Sequence, residues 1–228
     1  MKVLQEMTAV RLLQLKAIKF QPKNPFTWAN GWTAPMYCDD RKILSYPKMR
    51  DFIRLELARV IAEIYPDADI IASVATNAIA HGVLVAEQLS LPFVYVHPQP
   101  KDHGLENQIE GDLRPRQSVV IVENQVNTGV NCAKVIEAIR NNGCKVLGVV
   151  TIFDYGFGTT KRKLERLDVS LTALTNFERA EADELHFFAL HESLGDSFHN
   201  SGDRLIGIFL GQTGFFCYNS NQFCFFHN

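Results

Sequence analysis

Five short apolar runs, rich in β-branched residues, alternate with helical stretches along the middle of the chain, and this alternation constrains the fold most. The runs lie at residues 69–74, 93–96, 118–122, 145–152 and 169–174. The helical stretches that separate most of them lie near residues 78–90, 131–142 and 159–167. Apolar strands without polar alternation, joined by helices, form βαβ units whose parallel sheet is covered on both faces. We therefore predict an α/β fold in which a ligand binds beyond the carboxyl ends of the strands.

The segment before these strands predicts two helices with an irregular stretch between them. Apolar residues at helical spacing over residues 3–20 indicate an amphipathic helix. Residues 21–46 contain three prolines and a glycine and are predicted to be irregular. A second helix is predicted after Pro47, and the apolar residues available for its buried face are Phe52, Leu55, Leu57, Val60, Ile61 and Ile64.

Charge and cysteine content exclude several function classes. A net charge of −2 gives no overall attraction to nucleic acid or to an anionic membrane, so we expect neither as a partner. The first twenty residues carry charges throughout, unlike a signal peptide, and no run of about 18 apolar residues predicts a spanning helix. The five cysteines are scattered and form no CxxC pair, which favours free thiols and a cytoplasmic location.

The loop after Val122 has the features of an anion site. A buried strand is followed by Glu123 and Asn124, a polar loop with Thr128 and Gly129, and then a helix. Backbone N–H groups at a helix start have no internal partners, and the helix dipole favours negative charge there. A plain turn between strand and helix explains the same residues, so this segment alone leaves both interpretations open.

The loop after Val96 is long and polar and contains several prolines. Within residues 97–115, Lys101 and His103 supply donors for a phosphate or pyrophosphate, and Gly104 and Gly111 could act as hinges. Long loops of this kind are often functional lids. A solvated surface loop is the alternative.

Four segments in this order together resemble the orotate phosphoribosyltransferases, a family of type I phosphoribosyltransferases. Residues 25–47 resemble the hood that closes over orotate, and residues 74–82 resemble the loop that binds pyrophosphate. Residues 101–111 resemble the mobile catalytic loop, and residues 123–129 resemble the motif that binds phosphoribosyl pyrophosphate. The resemblance implies a type I phosphoribosyltransferase fold, which is a mostly parallel twisted sheet flanked by helices with a small N-terminal hood.

The resemblance also implies an activity, a cofactor and an assembly. In this family orotate and phosphoribosyl pyrophosphate give orotidine monophosphate and pyrophosphate, a step of pyrimidine biosynthesis. Mg²⁺ is held mainly through the substrate, with no direct protein ligand, and the mobile loop reaches the neighbouring subunit of a homodimer. Lys101 and His103 are implied to hold the pyrophosphate, and Glu123 and Asn124 to face the ribose, so these four are the expected catalytic residues.

A larger set of residues is implied to bind substrate. Its members belong to the hood or to the loops that follow the strands. They are His97, Lys101, His103, Glu123, Asn124, Val126, Asn127, Thr128, Gly129, Val130, Asn131, Thr76, Asn77, Thr33 and Tyr37.

Four positions depart from the family pattern. Asn124 stands where a second acid is usual, and Val130 stands where a second glycine is usual. His97 replaces a usual arginine, and Thr33 replaces a usual lysine. A valine at position 130 is costly if the loop needs positive φ there. These departures favour an alternative, a non-catalytic relative that binds a nucleotide or phosphoribosyl ligand as a sensor or partner protein.

The resemblance, together with a shift in composition near the end, divides the chain into three expected parts. Residues 1–46 form the N-terminal helix and hood, residues 47–184 the phosphoribosyltransferase core, and residues 185–228 a divergent tail rich in aromatic residues. Three interpretations of the tail are possible. It covers a dimer surface, it docks on another protein, or it is an altered version of a C-terminal segment that formerly matched the family. The sequence leaves these three open.

Overall fold

The computed structural model describes residues 1–21, 24–27, 32–34, 36–99, 108–183, 215–219 and 222–226. Its helices are α1 Lys2–Gln14, α2 Pro47–Ile64, α3 Ile79–Leu89, α4 Val130–Asn141 and α5 Gly158–Arg166, with a 3₁₀ helix over Asp40–Ser45. Its strands are β1 Ile18–Phe20, β2 Phe26–Thr27, β3 Trp32–Ala34, β4 Met36–Cys38, β5 Ile70–Val74, β6 Phe93–Val96, β7 Ile109–Glu110, β8 Ser118–Val126, β9 Lys145–Asp154, β10 Ser170–Asn176, β11 Phe215–Asn219 and β12 Gln222–Phe226. No helix in these ranges is long and apolar enough to cross a membrane.

The main sheet has six strands in the order β10-β9-β8-β5-β6-β7. All neighbouring pairs are parallel except β6 with β7, which pair antiparallel at one edge. The prediction of a mostly parallel sheet flanked by helices is confirmed. The chain runs from β5 outward to β6 and then returns to β8 on the other side of β5. This reversal of strand order opens a crevice beyond the carboxyl ends of β5 and β8, where open α/β sheets bind ligands.

Both faces of the sheet are covered, as continuous apolar strands require. Val120 and Val122 belong to one buried cluster with Leu57 of α2, while Ile121 belongs to the other with Ile136 of α4. Successive side chains of a strand point to opposite faces. Every residue of β5 is therefore buried on one face or the other.

The N-terminal prediction was correct in part. The helix ends at Gln14, and Lys16 adopts a left-handed backbone with φ of 53°. The chain then enters β1, which pairs antiparallel with β4. Residues 21–46 were predicted to be irregular, but their described part contains three short strands and the 3₁₀ helix. The apolar spacing over residues 3–20 could not distinguish β1 from a continuing helix, because Ile18 fits both the helical period and the strand period.

Helix α2 begins at Pro47, as predicted, with proline in the first turn where no N–H donor is needed. Leu57, Val60 and Ile61 are buried, but Leu55 and Ile64 keep 47% and 45% of their surface exposed, so their prediction was wrong. Leu55 lies about 200° around the helix from Leu57, on the opposite face. Ile64 is the last residue of the helix, beyond the packed stripe.

A second sheet contains the hood and part of the tail. Its strand order is β12-β11-β3-β2, and Tyr218 and Asn219 of β11 pair with Thr33 and Trp32 of β3. In the described part of the chain, the tail strands therefore extend the hood sheet and not the main sheet. The three-part division of the chain stays a prediction.

Candidate active site

The β8–α4 loop, residues 127–129, lies at the carboxyl edge of the main sheet, next to the crevice. The side-chain Oδ1 of Asn127 accepts a hydrogen bond from the backbone N–H of Thr128 at 2.6 Å. Gly129 follows with a left-handed backbone, φ +66°, and caps the start of α4. Asn127 and Asn131 are exposed and Thr128 is half-buried. The first N–H groups of α4 thus begin directly after an open polar loop, an arrangement that binds anions.

Val130 carries no backbone cost in this loop. The left-handed conformation falls on Gly129, and Val130 is the first residue of α4 and is not among the described residues with positive φ. Its side chain is 43% exposed. The expected penalty for valine at this position does not arise, because the turn is completed one residue earlier.

Helix α5 holds the β8–α4 loop in place. Thr160 Oγ1 donates to the carbonyl oxygen of Asn127, and Lys163 Nζ donates to the carbonyl oxygen of Thr128 at 2.8 Å. A Cβ atom on Gly129 would lie 3.1 Å from Thr160 Cγ2, tighter than an ordinary contact. Sequence reasoning missed Thr160 and Lys163, because nothing in their local pattern indicates a contact about 30 residues earlier in the chain.

Glu123 is buried at the end of β8, on the face covered by α4. The thiol of Cys132 donates to Oε2 of Glu123 at 3.7 Å, and the backbone N–H of Asn124 donates to Oε1 at 3.2 Å. The pKa of Glu123 is raised to about 8, chiefly by burial and to a smaller extent by the nearby Asp40 carboxyl, despite the lowering effect of the backbone hydrogen bond from Asn124. The side chain is therefore mostly protonated at neutral pH in the absence of a ligand.

Asn124 points to the opposite face from Glu123, as neighbours on a strand do. Its Nδ2 donates to Oδ1 of Asp40 at 2.9 Å, and both side chains are buried. Burial raises the pKa of Asp40 to about 6, despite the lowering effect of the hydrogen bond from Asn124. Asp40 was not predicted as a site residue, although it lies in the hood segment that carries the resemblance.

The turn after β5 is the second part of the site. Thr76 and Asn77 are exposed at the start of this turn, which leads into α3. His81, in the first turn of α3, is buried, and burial lowers its pKa to about 4. A Cβ atom on Gly82 would lie 1.8 Å from Ser73 Oγ, so only glycine lets α3 approach β5 this closely. His81 is thus a neutral packed side chain beneath the turn.

The loop after β6 is described only at its two ends. The backbone N–H of His97 donates to the carbonyl oxygen of Gln108 at 2.8 Å, and its ring meets Tyr95 edge to face at 5.7 Å. The loop therefore leaves and returns at adjacent points, with β7 pairing back onto β6. Lys101 and His103, the predicted pyrophosphate ligands, lie outside the described residues.

Two named relatives show the family of this chain. The orotate phosphoribosyltransferase of Porphyromonas gingivalis is 52% identical over 185 residues, covering 81% of this chain and 88% of that protein. The orotate phosphoribosyltransferase of Phocaeicola vulgatus is 53% identical over 178 residues, 78% of this chain and 84% of that protein. This chain belongs to the orotate phosphoribosyltransferase family.

Comparison of structures gives the same result. The crystal structure of orotate phosphoribosyltransferase from Aeropyrum pernix matches with a TM-score of 0.68 and 26% identity, over 78% of this chain and 99% of that one. No family model matches the chain. The predicted type I phosphoribosyltransferase fold is confirmed, and membership of an enzyme family does not favour the non-catalytic alternative.

The hood of this orotate phosphoribosyltransferase relative lies against the site through β4 and the 3₁₀ helix. Tyr37 is half-buried, its ring lies 5.5 Å from that of Phe26, and its hydroxyl accepts from Arg41 at 3.2 Å. Thr33 is half-buried in β3. The backbone N–H of Cys38 donates to the hydroxyl of Tyr155 at 3.1 Å, which fixes β4 to the main sheet just before Asp40.

Two further expectations concern Val126 as a substrate-binding residue and the residues that could hold a metal ion. Val126 is 2% exposed and packs in the core, so any contact with a ligand would come from its backbone. Among the residues that the structure describes, no group of three or more His, Cys, Asp or Glu side chains is arranged to hold a metal ion.

Proposed function

We propose that this chain transfers the phosphoribosyl group of phosphoribosyl pyrophosphate to orotate, giving orotidine monophosphate and pyrophosphate. The observation that carries the proposal is 52% identity with a named orotate phosphoribosyltransferase over 81% of the chain. The open start of α4, after a loop capped by Gly129, supports it from the geometry.

The 5-phosphate of the substrate would bind at the β8–α4 loop. Thr128 offers a hydroxyl, and the first N–H groups of α4 offer donors without internal partners. The positive end of the helix dipole favours the dianionic phosphate. Thr160 and Lys163 keep the backbone of the loop in this shape through its carbonyl groups.

The pyrophosphate and the ribose would lie across the crevice from this loop. Thr76 and Asn77 are exposed at the turn after β5, next to β8, and offer a hydroxyl and an amide. Lys101 and His103 would hold the leaving group beneath the closed loop, as the resemblance implies. Because bond breaking leaves positive charge on the ribose, acceptors at the end of β8 would stabilise the transition state.

Mg²⁺ is part of the proposal. A hard cation of this kind keeps several waters and binds through substrate phosphates and few protein oxygens. The side chains at the end of β8, a carboxyl and an amide, fit an ion held mainly through the substrate. Bound there, Mg²⁺ would neutralise the charge of the pyrophosphate.

The direct test is orotate consumption by the purified chain with phosphoribosyl pyrophosphate and Mg²⁺, with Lys101→Ala as the diagnostic variant. We expect Lys101→Ala to lower kcat by about a hundredfold or more, because one preorganised charged donor contributes that much to a transition state. Lys145→Ala is the matched control, since Lys145 is exposed at the start of β9, at the opposite edge of the sheet. No turnover by the folded wild-type chain would refute the proposed function.

A homodimer and a cytoplasmic location belong to the same proposal. The buried free thiols of Cys38, Cys132 and Cys144 fit a reducing compartment. If Lys101 acts in the partner's site, mixing Lys101→Ala chains with Gly129→Ala chains gives mixed dimers with one intact site, so activity returns. Absence of recovery in mixtures that have exchanged subunits would show that each loop serves its own subunit.

A further inference from the structure

The amide of Asn124 is anchored at one end. Its Nδ2 donates to Oδ1 of Asp40 at 2.9 Å, and the opposite orientation would bring the amide oxygen against a carboxylate oxygen. The amide is therefore fixed with its Oδ1 as the remaining acceptor. No group in the described ranges donates a hydrogen bond to that oxygen, and Asn124 keeps 3% of its surface exposed at the end of β8.

The Asp40 carboxyl is buried where a charged group is energetically unfavourable. Its side chain is fully buried, and within the described part of the chain its Oδ2 has no hydrogen-bond partner. The neighbouring Arg41 does not neutralise it, since Arg41 forms an ion pair with Asp39 at 2.8 Å. A buried carboxylate without full pairing costs free energy. A neutral amide would hold Asn124 equally well, so packing alone does not account for the acid.

We propose that Asp40 is a positioning residue for ribose: it orients and polarises the Asn124 amide so that Oδ1 accepts a ribose hydroxyl, and it supplies the negative charge that position 124 lacks. The inference rests on the proposed function. The motif that this chain resembles has two adjacent acids at the ribose, and here the second position is an amide. A carboxylate one hydrogen bond away, in a site of low dielectric, still favours positive charge on the ribose.

Asp40→Asn separates this role from a structural one. Asparagine has the same shape, and its amide oxygen can still accept from Nδ2 of Asn124, so the fold is expected to persist while the charge is lost. We expect kcat to fall about ten- to a hundredfold, the effect of losing one charge-assisted interaction, with an unfolding temperature that is not lowered, because a costly buried charge is removed. The KM for orotate should stay within about twofold, because the effect concerns the ribose. Asp39→Asn is the matched control, since it removes an adjacent charge that contacts Arg41 and not Asn124.

The reciprocal exchange makes the test sharper. Asn124→Asp alone puts two carboxyl groups within hydrogen-bonding distance in a buried place, where both cannot ionise, and should lower both stability and activity. The double variant Asp40→Asn with Asn124→Asp again has one acid and one amide, in exchanged positions. We expect it to recover kcat to within about threefold of the wild type, a large departure from additivity.

Each result has a defined meaning. Wild-type kinetics in Asp40→Asn, or an exchanged pair that folds but is no more active than Asn124→Asp, would overturn the inference. If Asp40→Asn fails to fold, the exchanged pair alone decides. If the wild-type chain has no turnover, the proposed function fails, and calorimetry with phosphoribosyl pyrophosphate then decides the inference: weaker binding by Asp40→Asn than by Asp39→Asn supports it, and equal binding refutes it.

Discussion

Lys163 Nζ donates to the carbonyl oxygen of Thr128 at 2.8 Å, which ties the β8–α4 loop to α5. Thr160, one turn earlier on α5, donates to the carbonyl oxygen of Asn127. Both contacts use backbone carbonyl oxygens of the loop and occupy none of its N–H donors. Helix α5 therefore holds the backbone of the β8–α4 loop at two successive carbonyl groups.

Lys163→Ala should raise the KM for phosphoribosyl pyrophosphate by a few-fold to about tenfold, since the loop loses one charge-assisted hydrogen bond at a partly exposed position. The KM for orotate should change little. Steady-state kinetics with each substrate varied in turn measures both values. Lys161→Ala is the control, because Lys161 lies on the same helix with an exposed side chain. Equal effects of the two substitutions would mean that the contact with Thr128 has no part in binding.

Gly129→Ala should lower both stability and substrate affinity. A left-handed backbone costs a residue with a side chain about 1–2 kcal/mol, and the new Cβ would also press on Thr160. Gly156 offers a matched control, because its φ is +73° and a Cβ there meets nothing within 4 Å. We expect both variants to lose thermal stability and only Gly129→Ala to bind phosphoribosyl pyrophosphate more weakly by calorimetry. Unchanged affinity in Gly129→Ala would argue against phosphate binding at this loop.

Stability should fall as pH rises from about 4.5 to 8. Burial raises the pKa of Glu123 from 4.5 to about 8, so between these values the folded chain binds a proton that the unfolded chain has lost. The contribution of Glu123 is therefore greatest below pH 4.5 and disappears as pH rises through 8, with a slope of up to about 1.4 kcal/mol per pH unit. Asp40 acts in the same direction, between 3.8 and about 6.

His81 has the opposite effect at lower pH. Burial lowers its pKa from 6.5 to about 4, so stability from this residue rises with pH between those values. Glu123→Gln should flatten the decline above pH 6.5, where His81 no longer contributes. Urea unfolding at intervals from pH 5 to 8.5, at constant ionic strength, measures the slopes. A wild-type curve as flat as that of Glu123→Gln would contradict the assignment.

Deletion of residues 198–228 should leave a core that unfolds cooperatively. In the described ranges the tail strands pair with β3 of the hood and with each other, and no tail strand joins the main sheet. We expect a single thermal transition in the truncated chain, and a change in KM for orotate if the hood sheet supports that substrate. Loss of the cooperative transition would show that the tail belongs to the core.

The sequence alone predicted the main sheet well, because its strands are buried on both faces and therefore appear as continuous apolar runs. The strands expected at 69–74 and 93–96 are Ile70–Val74 and Phe93–Val96 in the structure. The N-terminal region was predicted less well. Ile18 lies in a strand whose partner is about 20 residues away, and no local pattern records that pairing.

The local sequence pattern determined the helices and strands, because helical and strand periods are properties of neighbouring residues. The loops of the candidate site and the family resemblance were also found from short local segments. Only the tertiary structure decided which side chains meet. Asn124 contacts Asp40 across 84 positions, and Lys163 contacts Thr128 across 35. Such contacts depend on how helices and strands pack together, and the resulting burial, not residue type, sets the charge of Asp40 and Glu123.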